Sequence, residues 1–181
     1  DTEIRALIPR KTLMEVQKLI GEQELLIEFG RDENHLFFGA GGRKLVSRVL
    51  AGQFPNYEMV IPRDNDKNIV VSTRLLSDGV RRAAVMADEK LRAIRLAATG
   101  GVLELTASSA EAGEAREIVP VEYSGVALEI GFNPQYLLDF LGACGSDSVC
   151  LSLRDSETQG LLRPAAATEI DYRYVVMPMK F

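Results

Sequence analysis

The sequence carries little reactive chemistry. Among 181 residues there are one histidine, two cysteines and no tryptophan. A serine–histidine–acid site needs a histidine, and His35 lies in the polar turn Asp32-Glu33-Asn34-His35 ahead of a strand. It reads as a solvated hairpin residue rather than a general base. Cys144 and Cys150 are too few for a disulfide scaffold, and their spacing fits no common zinc pattern. They read as buried, reduced thiols, which favours a cytoplasmic location. Long apolar runs are missing as well, since none approaches the roughly 20 residues of a membrane-spanning helix. Residue 1 is Asp and no charged-then-apolar leader follows it, so the chain reads as a fragment of something longer. An excess of positive charge is also absent: 21 basic against 26 acidic residues give −5. That excludes a wholly basic nucleic-acid module but leaves room for a local basic face.

What is present is a repeat. Three segments have helical spacing and start signals. Pro9 to Ile20 carries Leu13, Val16, Leu19 and Ile20; Thr73 to Ala87 is opened by Ser72; Asn133 to Ala143 has Asn133 as N-cap, Pro134 at its first position and Gly145 near its end. Their starts fall roughly 60 residues apart. Each is preceded by one strand and followed by three. The first is bracketed by Glu3 to Ile8, then Glu24 to Phe29, His35 to Ala40 and Lys44 to Leu50. The second is bracketed by Ile69 to Ser72, then Leu91 to Ala98, Val102 to Ala107 and Ala115 to Val121. The third is bracketed by Val126 to Phe132, then Ser148 to Leu153, Gly160 to Arg163 and Tyr172 to Met177. Alternation of period two is clearest at Leu25, Ile27 and Phe29 and at Val149, Leu151 and Leu153. The polar stretch Arg63 to Asn68 reads as a linker after the first repeat. The expected fold is α+β, with helices on one face of antiparallel sheets: a half-domain over residues 1–62, then a two-repeat domain over 63–181.

Several features could carry function. Gly39-Ala40-Gly41-Gly42-Arg43-Lys44 lacks P-loop spacing and lies between two strands, so a hairpin turn with glycines at positive φ is expected. Glu111, Glu114 and Glu117 lie in a loop and at a strand start, without a second set of metal ligands near them; they read as an acidic edge facing solvent or a partner. The second helix carries an inward face of Leu75, Leu76, Val80, Ala83, Ala84 and Ala87. Arg74, Arg81 and Arg82 lie elsewhere on it, with Lys90 following, and the first helix bears Arg10, Lys11 and Lys18. This is either an ordinary solvated face or a set of contacts to a phosphate backbone, independent of sequence and sensitive to salt. The terminal stretch Tyr172 to Phe181 is unusually apolar for a chain end, and its two methionines suit a groove that accepts several partners.

Taken together, these segments resemble the C-terminal half of the bacterial sliding-clamp family, the β subunits of DNA polymerase III. The resemblance is carried by Ile8-Pro9-Arg10-Lys11, Gly52-Gln53-Phe54-Pro55-Asn56-Tyr57, the run Arg82 to Lys90, Glu122-Tyr123-Ser124-Gly125, the run Glu129 to Asn133, and Tyr174-Val175-Val176-Met177-Pro178-Met179. It implies a DNA-clamp fold of paired strand-helix-three-strand repeats, with residues 1–62 forming the second half of a middle domain and 63–181 a C-terminal domain. It further implies a homodimeric ring around duplex DNA that makes a polymerase processive, without catalytic residues, metal or cofactor. The rival readings are an enzyme, or a plain interaction module, on a repeated α+β scaffold.

The resemblance also implies three sites. A groove for short peptide motifs of polymerases, the clamp loader and repair proteins maps to Pro55, Met59, Val60, Asn133, Tyr136, Val175, Met177, Pro178, Met179, Lys180 and Phe181, with the loop Thr158 to Leu161 contributing. The family often has Arg where Met59 and Lys180 stand and a smaller aliphatic residue where Phe181 stands. The subunit interface maps to Val85, Met86, Glu111, Glu114 and Glu117, whose acids would meet basic residues of the partner. The DNA-facing positions map to Arg10, Lys11, Arg74 and Arg81, with Arg82 and Lys90 shared with the interface.

Overall fold

The computed structural model describes residues 6–21, 26–87, 93–109, 113–167 and 170–180. The chain divides into two compact units, Asp1–Asn56 and Tyr57–Phe181. The first holds α1 (Arg10–Ile20) and a sheet of β1 (Glu28–Arg31), β2 (His35–Ala40) and β3 (Arg43–Arg48), all antiparallel in the order β1-β2-β3. The β2–β3 turn is made by Gly41 and Gly42 at φ 56° and 78°, the left-handed pair a two-residue hairpin needs. Val16 of α1 packs with Leu36 and Phe38 of β2.

The second unit contains two full repeats. In chain order they are β4 (Lys67–Ser72), α2 (Thr73–Ala84), β5 (Ile94–Thr99), β6 (Val102–Ser109) and β7 (Gly113–Pro120), then β8 (Leu128–Phe132), α3 (Pro134–Ala143), β9 (Ser148–Leu153), β10 (Gly160–Pro164) and β11 (Tyr174–Val176). The two sheets run β7-β6-β5-β8 and β11-β10-β9-β4. Each therefore takes three strands from one repeat and the leading strand of the other, with Val71 registered on Val149 and Leu96 on Ile130. This exchange ties both repeats into one core of Ile69, Leu76, Val80, Leu96, Leu105, Ile130, Phe132, Leu137, Phe140 and Leu151, among others.

The helix starts follow the start signals. Ser72 Oγ accepts from the Leu75 amide, and Asn133 Oδ1 accepts from the Gln135 amide at 2.9 Å, with Pro134 at the first turn. Several expected bounds shift for physical reasons. The second helix stops at Ala84, because the next three amides bond three residues back instead of four. The strand expected from Val126 begins at Leu128, because the Tyr123 hydroxyl donates to the Val126 carbonyl at 2.6 Å and takes it from the ladder. Ala6 to Pro9 forms no strand, although the Leu50 amide donates to the Leu7 carbonyl. The strand expected over Tyr172 to Met177 keeps only Tyr174–Val176.

The stretch Arg63 to Asn68 is tied to the second unit rather than acting as a linker. Lys67 and Asn68 open β4, and Asn65 Nδ2 donates to the carbonyls of Ser152 and Gln159 at 2.8 and 3.1 Å. Leu75, expected inward, is exposed; the buried stripe of α2 is Leu76, Gly79, Val80 and Ala83. Gly79 is required in that stripe, since a Cβ there would come within 2.9 Å of Leu105 Cδ1 and 3.1 Å of Val119 Cγ2. Ile27 and Phe29 are also exposed, whereas Val149, Leu151 and Leu153 are fully buried. Leu25 lies outside the described residues.

Candidate functional site

The C-terminal segment is held by the strands it passes. β11 pairs with β10 through Gly160–Val176 and Leu161–Val175, so Val176 enters the core and Val175 faces outward with Leu161. Beyond the strand, the Met179 amide donates to the Gly131 carbonyl of β8 at 2.8 Å. Two residues after Gly131, Asn133 caps α3, and Tyr136 stands in the first helical turn with 52% of its surface exposed. On the other side, Gln159 Nε2 donates to the Val60 carbonyl at 3.4 Å. Nine of the eleven expected groove residues (Met59, Val60, Asn133, Tyr136, Val175 and Met177 to Lys180) thus belong to segments that these bonds draw together. Met59 and Met177 are widely exposed, and Lys180 Nζ lies 3.8 Å from Glu157. Pro55 belongs to the first compact unit, and Phe181 lies outside the described residues.

In the core of the same unit buried Phe140 meets two tyrosines, with ring centroids 5.5 Å from Tyr172 and 5.6 Å from Tyr174. Burial pushes both phenols above their ordinary range. The described side chains of this region combine exposed Met59, Tyr136 and Met177 with backbone and amide hydrogen-bonding groups. Such a surface can hold an apolar side chain and orient a peptide, but it offers no acid–base pair.

An adjoining open cavity of about 950 Å³ had no counterpart in the sequence reading. It is lined by Tyr57, Arg63, Arg163 and Arg173 among others, and it shares Leu161 with the groove strand. Arg173 is held in a two-pronged ion pair with Asp171 at 2.9 and 2.5 Å, which raises its pKa. Only the spacing of alternate residues Leu161 and Arg163, with their side chains on one face of β10, hinted at it.

The basic helix faces have a common plan. Counted from the first helical residue, position 2 is Lys11 in α1 and Arg74 in α2, and position 9 is Lys18 and Arg81. Seven residues apart, the two cations of each helix lie on one line, away from its buried stripe. Position 6, between them, is acidic: Glu15 pairs with Lys18 at 2.9 Å, and Asp78 lies 3.9 Å from Arg81. α3 has Gln135, Asp139 and Gly142 at these places and carries no positive charge. Arg10, Lys11, Arg74 and Arg81 are exposed. Arg82 points to another use, since its guanidinium bonds Glu117 of β7 at 2.7 Å; that bond raises the Arg82 pKa and lowers that of Glu117. Lys90 and Glu111 lie outside the described residues. Val85, at the end of α2, is 74% exposed, Met86 is half-buried, and Glu114 is exposed on β7, the border strand of its sheet.

Among the described residues no group of three or more His, Cys, Asp and Glu side chains could hold a metal ion. Both cysteines are free and buried. His35 Nδ1 sits 3.3 Å from Asp32 Oδ2 at the mouth of the β1–β2 turn.

Comparison with known proteins places this architecture. The family profile described as DNA polymerase III beta subunit, C-terminal domain, matches residues 58–180. The chain belongs to that family. A β sliding clamp of Pseudomonas aeruginosa is 39% identical over 176 residues, covering 97% of this chain and 47% of its own length. The Escherichia coli β sliding clamp is 35% identical, over 96% and 47%. A crystal structure of the Pseudomonas aeruginosa sliding clamp bound to griselimycin superposes with a TM-score of 0.89 at 39% identity, over 97% of this chain and 47% of that one. The α+β architecture with exchanged strands is therefore the sliding-clamp fold. The chain spans about half the length of the clamps it matches.

Proposed function

We propose that this chain is the part of a DNA polymerase processivity factor that supplies the second half of the middle clamp domain, over residues 1–62, and the C-terminal domain, over 63–181. In this reading the whole clamp is a homodimeric ring that encircles duplex DNA in the cytoplasm. It tethers polymerase, loader and repair proteins through short peptides and performs no catalysis itself. The observation that carries the reading is the sustained match to sliding clamps in both sequence and fold over nearly the whole chain. The exposed Met177 and Tyr136 beside a fixed terminal segment support the peptide groove. Solvent-facing Lys11, Arg74 and Arg81 support contact with the phosphate backbone, and Val85 with Glu114 supports a subunit interface.

The test is binding of a peptide of the Gln-x-x-Leu-Phe type, read by fluorescence anisotropy. The combined substitution Met179→Ala and Tyr136→Ala is expected to weaken binding at least about tenfold, the loss of an apolar anchor and its aromatic neighbour. Unchanged affinity in the double variant, with folding intact, would remove the groove assignment. A peptide that never binds the unsubstituted chain would count against the processivity-factor reading itself.

A further inference from the structure

The hairpin that joins β9 to β10 meets the candidate groove at two places. Glu157 lies 3.8 Å from Lys180, and Gln159 Nε2 donates to the Val60 carbonyl at 3.4 Å. The turn is held from inside by Asp155, whose Oδ1 accepts the amides of Glu157 and Thr158 at 2.9 and 2.7 Å. Its two legs are joined by Asn65. The carboxamide nitrogen of Asn65 donates to Ser152 near the end of β9 and to Gln159 just ahead of β10, at 2.8 and 3.1 Å. Chemistry fixes that orientation, because turning the carboxamide over would set its oxygen against two carbonyl oxygens.

Gln159 is therefore bonded twice, and both bonds lead to one short stretch of chain. Its carbonyl accepts from Asn65 and its side chain reaches Val60, so residues 60–65 close a ring on a single residue. On its other side the backbone of Gln159 runs into buried Gly160. A Cβ there would come within 2.9 Å of Leu153 Cδ2 and 3.1 Å of Phe132 Cζ, so this leg of the hairpin cannot shift inward. Leu161 follows and registers with Val175 of β11. The Gln159 carboxamide thus joins Val60 to the strand pair that carries Val175 and leads on to Met177. Val60 gives its own amide to the Tyr57 carbonyl, and Gln159 takes up its carbonyl. What Val60 offers a ligand is its side chain, 53% exposed.

We propose that Asn65 is a positioning residue of the peptide groove: by fixing the Gln159 carbonyl it aims the Gln159 carboxamide at Val60, and so sets where the Val60 side chain stands relative to Val175. Asn65 meets no ligand in this scheme and acts only through Gln159. A wall held in this way need not be ordered when a peptide arrives, so less affinity is lost to ordering it. The inference rests on the peptide-groove reading and adds to it the residue that holds one wall in place.

A double-mutant cycle on the 181-residue chain, read with the Gln-x-x-Leu-Phe peptide by fluorescence anisotropy, tests it. Asn65→Ala and Gln159→Ala are each expected to weaken peptide binding about threefold to tenfold, the net worth of one hydrogen bond. Gln159→Glu, which replaces the donor by an acceptor of equal size, should weaken it as much. In the Gln159→Ala background, Asn65→Ala should add less than about twofold, because its route to Val60 is already gone. A merely structural role for Asn65 would not produce that coupling. In the unsubstituted chain, the side-chain amide protons of Asn65 and Gln159 should exchange with solvent more slowly than those of exposed Gln17, which keeps the test sound if Asn65→Ala does not fold. Losses that multiply independently, full affinity in folded Asn65→Ala, or unprotected Asn65 and Gln159 side chains would overturn the proposal while leaving the groove in place. Failure of the unsubstituted chain to bind the peptide would bring down the groove reading and this inference with it.

Discussion

Asn133 serves two purposes, and they can be separated. Its side-chain carbonyl caps α3 through the Gln135 amide, and it also lies at the edge of the candidate groove. Asn133→Ala is expected to cost about 1 kcal/mol of stability, the usual loss when a capping oxygen is removed. Asn133→Asp keeps the cap and should stay within a few tenths of a kcal/mol of the parent. Urea unfolding of the two variants beside peptide titration then assigns any loss of binding: if both lose peptide equally, the carboxamide itself meets the ligand, and if only the Ala variant does, the helix start positions it. The cap was legible in the sequence because Asn-Pro ahead of an apolar helical pattern is a local signal. Asn65 was not, because the backbone carbonyls of Ser152 and Gln159 that bind it are remote in sequence, and a lone Asn in a polar stretch resembles a linker residue.

Among elements, the helices were legible and the strand exchange was not. A helix announces its period and its cap within a dozen residues, so all three starts could be read. Pairing of β4 with β9 and β5 with β8 depends on partners far apart in the chain and leaves no local trace. Helix charge lies between these cases: Lys and Arg stand out, but the acid at position 6 acquires meaning only once its side chain faces the same way. Glu15 and Asp78 share the face with the cations and partly neutralise it. If that face meets DNA, Asp78→Asn is expected to strengthen binding to duplex DNA at low salt. Arg74→Gln should weaken it and reduce the slope of log affinity against log salt by about 0.9, one phosphate contact. Fluorescence anisotropy over a salt series reads both. Slopes unchanged by either substitution would place the DNA elsewhere.

At the scale of the molecule, the two compact units differ in how well each is closed. The second shares one continuous core between two sheets locked by exchanged strands, so neither of its repeats can open alone without breaking the other's sheet. The first rests on Val16, Leu36 and Phe38, with a few half-buried neighbours, under a single helix. A unit of this size buries too small a share of its surface to be more than marginally stable unaided. Unfolding in urea should therefore proceed in two steps, with the first unit opening earlier. Hydrogen exchange should show the β2 amides of Leu36 and Phe38 exchanging at lower urea than those of Leu96 and Leu151. A single coincident transition would contradict this.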